Sequence, residues 1–444
     1  MPLESAIAVP QALACRSMDR RSALLTDHYE FTMLDAALQA GTAFRQCVFE
    51  VFGRRLPTDR GYLVNAGTGR LLDLIESFTF GSDELAHLAG IGLSEPTLEW
   101  LSEYRFGGDI EGYPEGELFF PGSPLLTVRA DFASGVILET LILSVLNHDV
   151  AVASAASRMW VQAEGRPLIE MGSRRTHEQA AVAAARATWI AGFATTSNVA
   201  AGARYGIPTA GTAAHAFTLL HDTERDAFQA QVDALGTGTT LLVDTYDTLE
   251  GVRQALAVAG PRLGAIRLDS GDLPELAWES RRVLDAAGAH GTRIVATSDL
   301  DEYLIAELRA APVDAFGVGT SVVTGSGSPA AGLVYKLVEV DGRSVAKASA
   351  GGKASQGGAK VAFRRIGPDG VAVAEVLHVA GDDLDSDPAS TDRVLTTPLV
   401  RAGQRIDAST LDDARARHAA SVAELPEAGR ALRASGPAIP LVRE

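Results

Sequence analysis

Cysteine occurs only twice in this chain of 444 residues, as Cys15 and Cys47. Two thiols cannot furnish a four-thiolate zinc site, and their scarcity suits a reducing compartment better than a disulfide-stapled fold. Positive charge is short as well. Lys and Arg number 39 against 56 Asp and Glu, and the net charge of −17 argues against general affinity for nucleic acid or an anionic membrane. No segment reads as the ~20 apolar residues of a membrane helix, and residues 1–20 form a loose opening without the basic start and apolar run of a secretory leader. Gly-x-x-x-x-Gly-Lys-Ser/Thr, His-Glu-x-x-His and Gly-x-Ser-x-Gly are all missing. A P-loop, a zinc-peptidase centre and a nucleophile elbow are therefore not indicated, and no protein-held metal cluster is expected. The sequence predicts a cytoplasmic protein whose partners are neither nucleic acid nor membrane.

What is present is enough apolar sequence for a large core: 46% hydrophobic residues with 21% charged. The length allows two or three domains, one of them a barrel of roughly 200–250 residues. Residues 16–137 read as a mixed α+β domain. Helical spacing starts near Leu24, with Asp27 and Glu30 placed as a capping box. Gln46 to Phe52 then alternates like a half-buried strand, and short strands punctuated by Gly and Pro fill Phe106 to Arg129. Residues 138–334 change rhythm. After an apolar helix over Leu138 to Leu146, short β-like runs recur at Leu168–Met171, Ile207–Ala210, Thr240–Val243, Ala265–Leu268, Arg293–Ala296 and Ala315–Val318. Helical segments separate them at spacings suited to βα units. Residues 335–444 return to strands, with a Gly/Lys/Ser-rich stretch at 347–360, an acidic loop at 382–392 and a helix over 408–432.

Polar residues gather just after the β-like runs, where both α/β barrels and open doubly wound sheets bind ligands. Ile266 to Asp272 brings Arg267 and Asp269 to one run's end. An arginine can grip a phosphate bidentately, and an aspartate can accept from a sugar diol. A strand-to-helix turn with an N-cap Asp explains one carboxylate there but not the pair. Asp244 and Asp247 repeat the pattern one unit earlier, one to cap and one free for a ligand. Gly317, Gly319 and Thr320 form a Gly-x-Gly-Thr turn able to turn backbone N–H groups to a phosphate. Arg174 and Arg175 follow another run and are candidates for a carboxylate or pyrophosphate. Thr195 to Asn198 is a loop of hydroxyls and an amide. His215 stands where a Gly-Thr turn meets a helix-like segment; alone it reads more readily as a structural histidine than as a catalyst.

Seven ordered motifs resemble the nicotinate phosphoribosyltransferase family: Leu25 to Tyr29, Gly172 to Arg175, Thr196 to Asn198, Gly211 to His215, Asp244 to Asp247, Arg267 to Asp272 and Phe316 to Thr320. The resemblance covers roughly residues 22 to 365. It implies an α/β fold, an incomplete (β/α) barrel of the type II phosphoribosyltransferase kind. An α+β domain comes from the N-terminal third and part of the C-terminal region. It implies nicotinate and phosphoribosyl pyrophosphate as substrates, giving nicotinate mononucleotide and pyrophosphate in NAD salvage. It further implies ATP hydrolysis coupled through a phosphorylated histidine, with Mg2+, and an active site at a homodimer interface.

By motif, His215 matches the phosphorylated histidine. Arg267 and Asp269 match residues at the phosphoribosyl group, with Asp244 near the ribose, and Gly317, Gly319 and Thr320 match the loop around the 5-phosphate. Tyr29 matches an aromatic stacking on the pyridine ring from the partner subunit, and Arg174 matches the ring-site arginine. Two departures stand out: Met171 where the family usually has Phe, and Ala213 and Ala216 flanking His215. Ser197 occupies a position where nicotinamide-using relatives tend to carry Asp, so it favours the acid. The other readings are a nicotinamide- or quinolinate-using phosphoribosyltransferase and a non-catalytic nucleotide-binding barrel.

Overall fold

The structure, a computed structural model, is described over residues 23–347, 356–379 and 392–444. The opening residues with Cys15, most of the Gly/Lys/Ser-rich stretch and all of the acidic loop except Asp392 lie outside these. Six short parallel strands form one sheet in the order Thr195–Thr196, Leu168–Glu170, Ala315–Val318, Arg293–Ala296, Ala265–Leu268, Thr240–Leu242. Its two outer strands do not pair with each other, so the barrel is incomplete. The strands are near-continuous apolar runs because both faces are covered: Leu241, Ile266, Leu268, Ile294, Ala296, Phe316 and Val318 are all buried. Crossover helices supply the cover. Thr248–Ala259, for example, buries Val252, Ala255 and Ala259 at helical spacing.

A second sheet is antiparallel and draws on both ends of the chain. Within it the strand Gln46–Gly53 is paired on one side with Leu126–Asp131 and on the other with Leu333–Val340. Asp109–Gly112 pairs onward with Thr397–Arg401. A third, smaller sheet joins Lys360–Ile366, Ala372–Val379, Asp392–Val394 and Leu441–Arg443.

The helix Glu139–Ala163 serves both cores, giving Val145 and Leu146 to one and Val152, Ala153, Ala156 and Met159 to the other. Among the described residues, the stretch Phe132–Ala163 is long and apolar enough to cross a membrane by length and composition, yet 67% of its most apolar window is buried inside the protein. From sequence alone this helix is expected to end at Leu146, with no such run. Asp149 and Arg158 break the apolar text, and only the fold shows their neutralising partners: Arg70 at 2.9 Å from Asp149 and Glu302 at 3.1 Å from Arg158.

Three other local expectations fail for physical reasons. Asp27 does flank the first helix, His28–Gln39, but its side chain makes no cap bond there and no capping box forms. Glu30 is turned away to the helix Glu139–Ala163, where its Oε1 accepts from the Thr140 N–H at 3.0 Å and from the Thr140 hydroxyl. Ile207–Ala210 is not a strand; only Thr209 bridges, to Thr196, since Pro208 has no N–H to donate to a ladder. The helix expected over 408–432 is Leu411–Ala423, followed by a separate 3-10 turn at Glu427–Arg430.

Burial pushes the Glu30 carboxyl up to about 7, against the Thr140 hydrogen bonds and with help from Glu139 and Asp27. A carboxyl raised in the folded state gives stability that is present at acid pH and lost as pH climbs to that value, after which the loss levels off. Wild-type protein should therefore lose melting temperature relative to Glu30→Gln between about pH 5 and 7, with a constant difference above. A difference that stays flat over that interval in paired melts would show that Glu30 does not titrate there.

Candidate active site

Three adjacent parallel strands, Thr240–Leu242, Ala265–Leu268 and Arg293–Ala296, end in Asp244, Asp269 and Thr297. Arg267 and Asp269 are two residues apart, so an extended backbone puts them on one side. Arg267 Nη2 lies 3.0 Å from Asp269 Oδ1. The same guanidinium donates through Nε to Thr297 Oγ1 at 2.9 Å and through Nη1 to Thr212 Oγ1 at 3.0 Å. Thr297 in turn donates to Asp269 Oδ1. Three hydrogen bonds thus fix the arginine fork before any ligand arrives.

Asp244 is buried, and its Oδ2 accepts from the Asp269 N–H at 2.9 Å and the Ser270 hydroxyl at 2.6 Å. Its Oδ1 is buried with no hydrogen-bond partner among the described residues, as is Glu224 Oε1. Desolvation pushes the Glu224 carboxyl up to about 7, assisted by Asp244, Glu250 and Asp247. The flanking carboxylates have other work. Asp247 caps Thr248–Ala259 through the Glu250 N–H, and Asp272 caps Leu273–Ala286 through the Glu275 N–H.

His215 opens the short helix His215–Leu219 at the edge of this group. Its Nδ1 is 3.1 Å from Thr245 Oγ1 and its Nε2 is 3.8 Å from Asp269 Oδ2. The side chain keeps 42% of its accessibility, so the ring is held through Nδ1 yet open to a reactant. No side chain at 213 or 216 reaches over it, since both positions are alanine.

The turn after Ala315–Val318 closes on the same mouth. A Cβ on Gly317 would lie 2.5 Å from Thr297 Cγ2 and 2.7 Å from Met171 Sδ, so only glycine fits between them. Gly319 leads into Thr320, the first residue of the helix Thr320–Val323. Beside it, Ser298 and Asp299 have φ of 89° and 43°. Two successive non-glycine residues in positive φ mark a strained turn at the end of the 293–296 strand, a feature with no signature in the sequence.

Arg174 and Ser197 occupy neighbouring loops tied through one buried carboxylate. Glu170 Oε1 accepts from the Gly172 N–H, and its Oε2 accepts from the Thr196 hydroxyl. The Ser197 N–H donates to the Glu170 carbonyl at 2.8 Å, and Asn198 Nδ2 donates to Ser173 Oγ at 3.0 Å. Arg174 itself is exposed and makes no ion pair among the described residues. Tyr29 stands apart from all of these on the first helix, 46% exposed, with its hydroxyl near Glu139.

Residues 24–147 match the model of the nicotinate phosphoribosyltransferase N-terminal domain. Over 427 residues the chain is 57% identical to nicotinate phosphoribosyltransferase pncB1 of Mycobacterium tuberculosis, covering 94% of each. The chain belongs to the nicotinate phosphoribosyltransferase family. The Bacillus subtilis nicotinate phosphoribosyltransferase is 38% identical, over 74% of this chain and 69% of that one. The crystal structure of human nicotinic acid phosphoribosyltransferase superimposes with a TM-score of 0.83 at 27% identity, covering 94% of this chain and 97% of the human one. The incomplete barrel with its companion α+β sheets is thus the architecture of this family and of type II phosphoribosyltransferases. Within it, the sequence motifs contain Thr212, Thr245 and Ser270 without a role for them and leave out Thr297; these four hydroxyls hold the site's side chains in place.

Proposed function

We propose that the chain transfers the phosphoribosyl group of phosphoribosyl pyrophosphate to the ring nitrogen of nicotinate, giving nicotinate mononucleotide and pyrophosphate for NAD salvage. The observation that carries this reading is the fixed group Arg267, Asp269, Asp244 and His215 at the strand ends of a family member. As pyrophosphate leaves, C1 of the ribose becomes oxocarbenium-like, and preorganised carboxylates stabilise it more effectively than a strong base would. In this reading Arg267 and Asp269 hold the phosphoribosyl group, Asp244 lies near the ribose, and Gly317, Gly319 and Thr320 surround the 5-phosphate. His215 is the phosphoryl acceptor from ATP: a neutral ring nitrogen attacks the γ-phosphorus and ADP leaves, tying ATP hydrolysis to synthesis.

Mg2+ fits the site. The buried, unpartnered Asp244 Oδ1 and Glu224 Oε1 leave carboxylate oxygens available, and this ion prefers one or two carboxylates together with substrate phosphates. When bound it would neutralise charge on the pyrophosphate. Among the described residues Tyr29 makes no hydrogen bond or ion pair to the mouth of its own barrel, which supports a homodimer in which it faces the partner's ring site. The buried core helix and sparse cysteines support a cytoplasmic location.

Arg174 and Ser197 are assigned to the carboxylate of nicotinate. Ser197→Asp should raise the KM for nicotinate at least ~10-fold, because two carboxylates then face each other, and should improve nicotinamide relative to it. Turnover of both substrates by the purified pair of proteins checks this. If wild type prefers nicotinamide, or if quinolinate is turned over instead, the substrate is reassigned; absence of pyrophosphate release with any of them would leave a binding protein.

A further inference from the structure

The buried carboxyl of Glu30 is not used by any step above, and its surroundings give it a task. The first helix begins without help from its own N-cap side chain. Instead the Asp27 N–H donates to Thr140 Oγ1 at 3.3 Å, and the Thr140 hydroxyl passes its proton toward Glu30. Glu30 Oε1 also takes the Thr140 N–H, one of the free donors at the start of the 25-residue helix Glu139–Ala163. Two helices 110 residues apart in sequence thus cap each other through a single hydroxyl and a single carboxylate. The arrangement has a cost, since Glu30 is fully buried and its Oε2 has no partner among the described residues.

The neighbouring residue shows what the clasp controls. Tyr29 precedes Glu30, so the rotation of the first helix about its axis sets where its ring points. The Tyr29 hydroxyl lies near the Glu139 carboxylate, in the residue before Thr140, and Glu139 is itself held 3.7 Å from Lys336. Ring and clasp therefore share one helix end. We infer that Glu30, acting through Thr140, is a positioning residue that fixes the orientation of Tyr29 toward the pyridine ring. This rests on the assignment of Tyr29 to the ring site. A buried polar group with one oxygen unsatisfied is what is expected where orientation matters more than stability.

The test is a kinetic double-mutant cycle on the full-length protein. Glu30→Ala should raise the KM for nicotinate about fivefold while leaving kcat and the KM for phosphoribosyl pyrophosphate near their wild-type values. Glu30→Gln keeps an acceptor for both Thr140 donors and should restore the wild-type KM. Thr140→Val, close in volume to threonine, should give the same selective rise without opening a cavity. In a Tyr29→Ala background, Glu30→Ala should add nothing further, because its effect passes through the ring that is gone. The inference is overturned if Glu30→Ala changes both substrates' KM alike, if Gln fails to rescue, or if the effect persists without Tyr29. Tyr29→Ala that leaves the nicotinate KM unmoved would remove the ring assignment itself, a separate outcome.

Discussion

Asp269→Ala is expected to lower kcat/KM for phosphoribosyl pyrophosphate by roughly a thousandfold, with little loss of fold. The carboxylate has three neighbours that depend on it: Arg267 at 3.0 Å, the Thr297 hydroxyl, and His215 at 3.8 Å from its second oxygen. Removing it frees the arginine fork, which then needs to be reordered in every turnover, and deletes a negative charge facing the developing cation. Its backbone N–H still reaches Asp244, so the strand end keeps its shape. Asp269→Asn separates the two losses, since the amide preserves volume and a hydrogen-bond acceptor but not the charge. If charge dominates, Asn should be nearly as slow as Ala, and pyrophosphate release at varied substrate concentration reads the difference. An Asn variant within a few-fold of wild type would assign Asp269 to shape rather than transition-state charge.

His215→Ala should abolish ATP-dependent phosphorylation of the protein and reduce the ATP-stimulated rate to its ATP-independent level, a drop of roughly a hundredfold. The ring is exposed enough to react; Thr245 holds its Nδ1, and Asp269 stands 3.8 Å from its Nε2. Incubation with γ-labelled ATP followed by acid treatment is the measurement. Acid-labile label on wild type and none on the variant is the expected result; label that survives in the variant would transfer the role elsewhere. The alanines at 213 and 216 leave the ring's flanks open, so coupling between ATP hydrolysis and product formation, counted as ADP per nicotinate mononucleotide, is the quantity to compare with family members carrying larger residues there.

Several of these features could be read from the sequence because they are local. Arg267 and Asp269 are two apart on an apolar run, and strand geometry alone puts them together. Asp247 and Asp272 sit three residues before Glu250 and Glu275, the ordinary spacing of a cap. The parallel sheet followed from regularly spaced β-like runs. What could not be read is long-range or chemically plain. Thr297 and Thr212 meet Arg267 from 30 and 55 residues away, and threonine carries no signature that separates a site hydroxyl from a strand surface. Glu30 was assigned to its own helix because the capping spacing is local and strong, whereas its true partner is a hydroxyl 110 positions downstream. The core helix was cut short for the same reason: Asp149 and Arg158 look solvent-seeking until Arg70 and Glu302 are seen beside them. Family resemblance supplied roles for residues such as Tyr29, whose position on the first helix carries no chemistry by itself.

The antiparallel sheet woven from both ends of the chain bears on how the protein is made. Its longest N-terminal strand, Gln46–Gly53, leaves the ribosome almost 300 residues before one of its two neighbours, Leu333–Val340, and Asp109–Gly112 waits as long for Thr397–Arg401. Until those segments are synthesised, the nascent N-terminal third carries unpaired strand edges beside apolar faces, the combination that invites pairing with another chain. The six-stranded parallel sheet has no such delay, since all its strands fall between residues 168 and 318. During translation the parallel sheet can therefore be completed first, while the antiparallel sheet waits for its C-terminal strands.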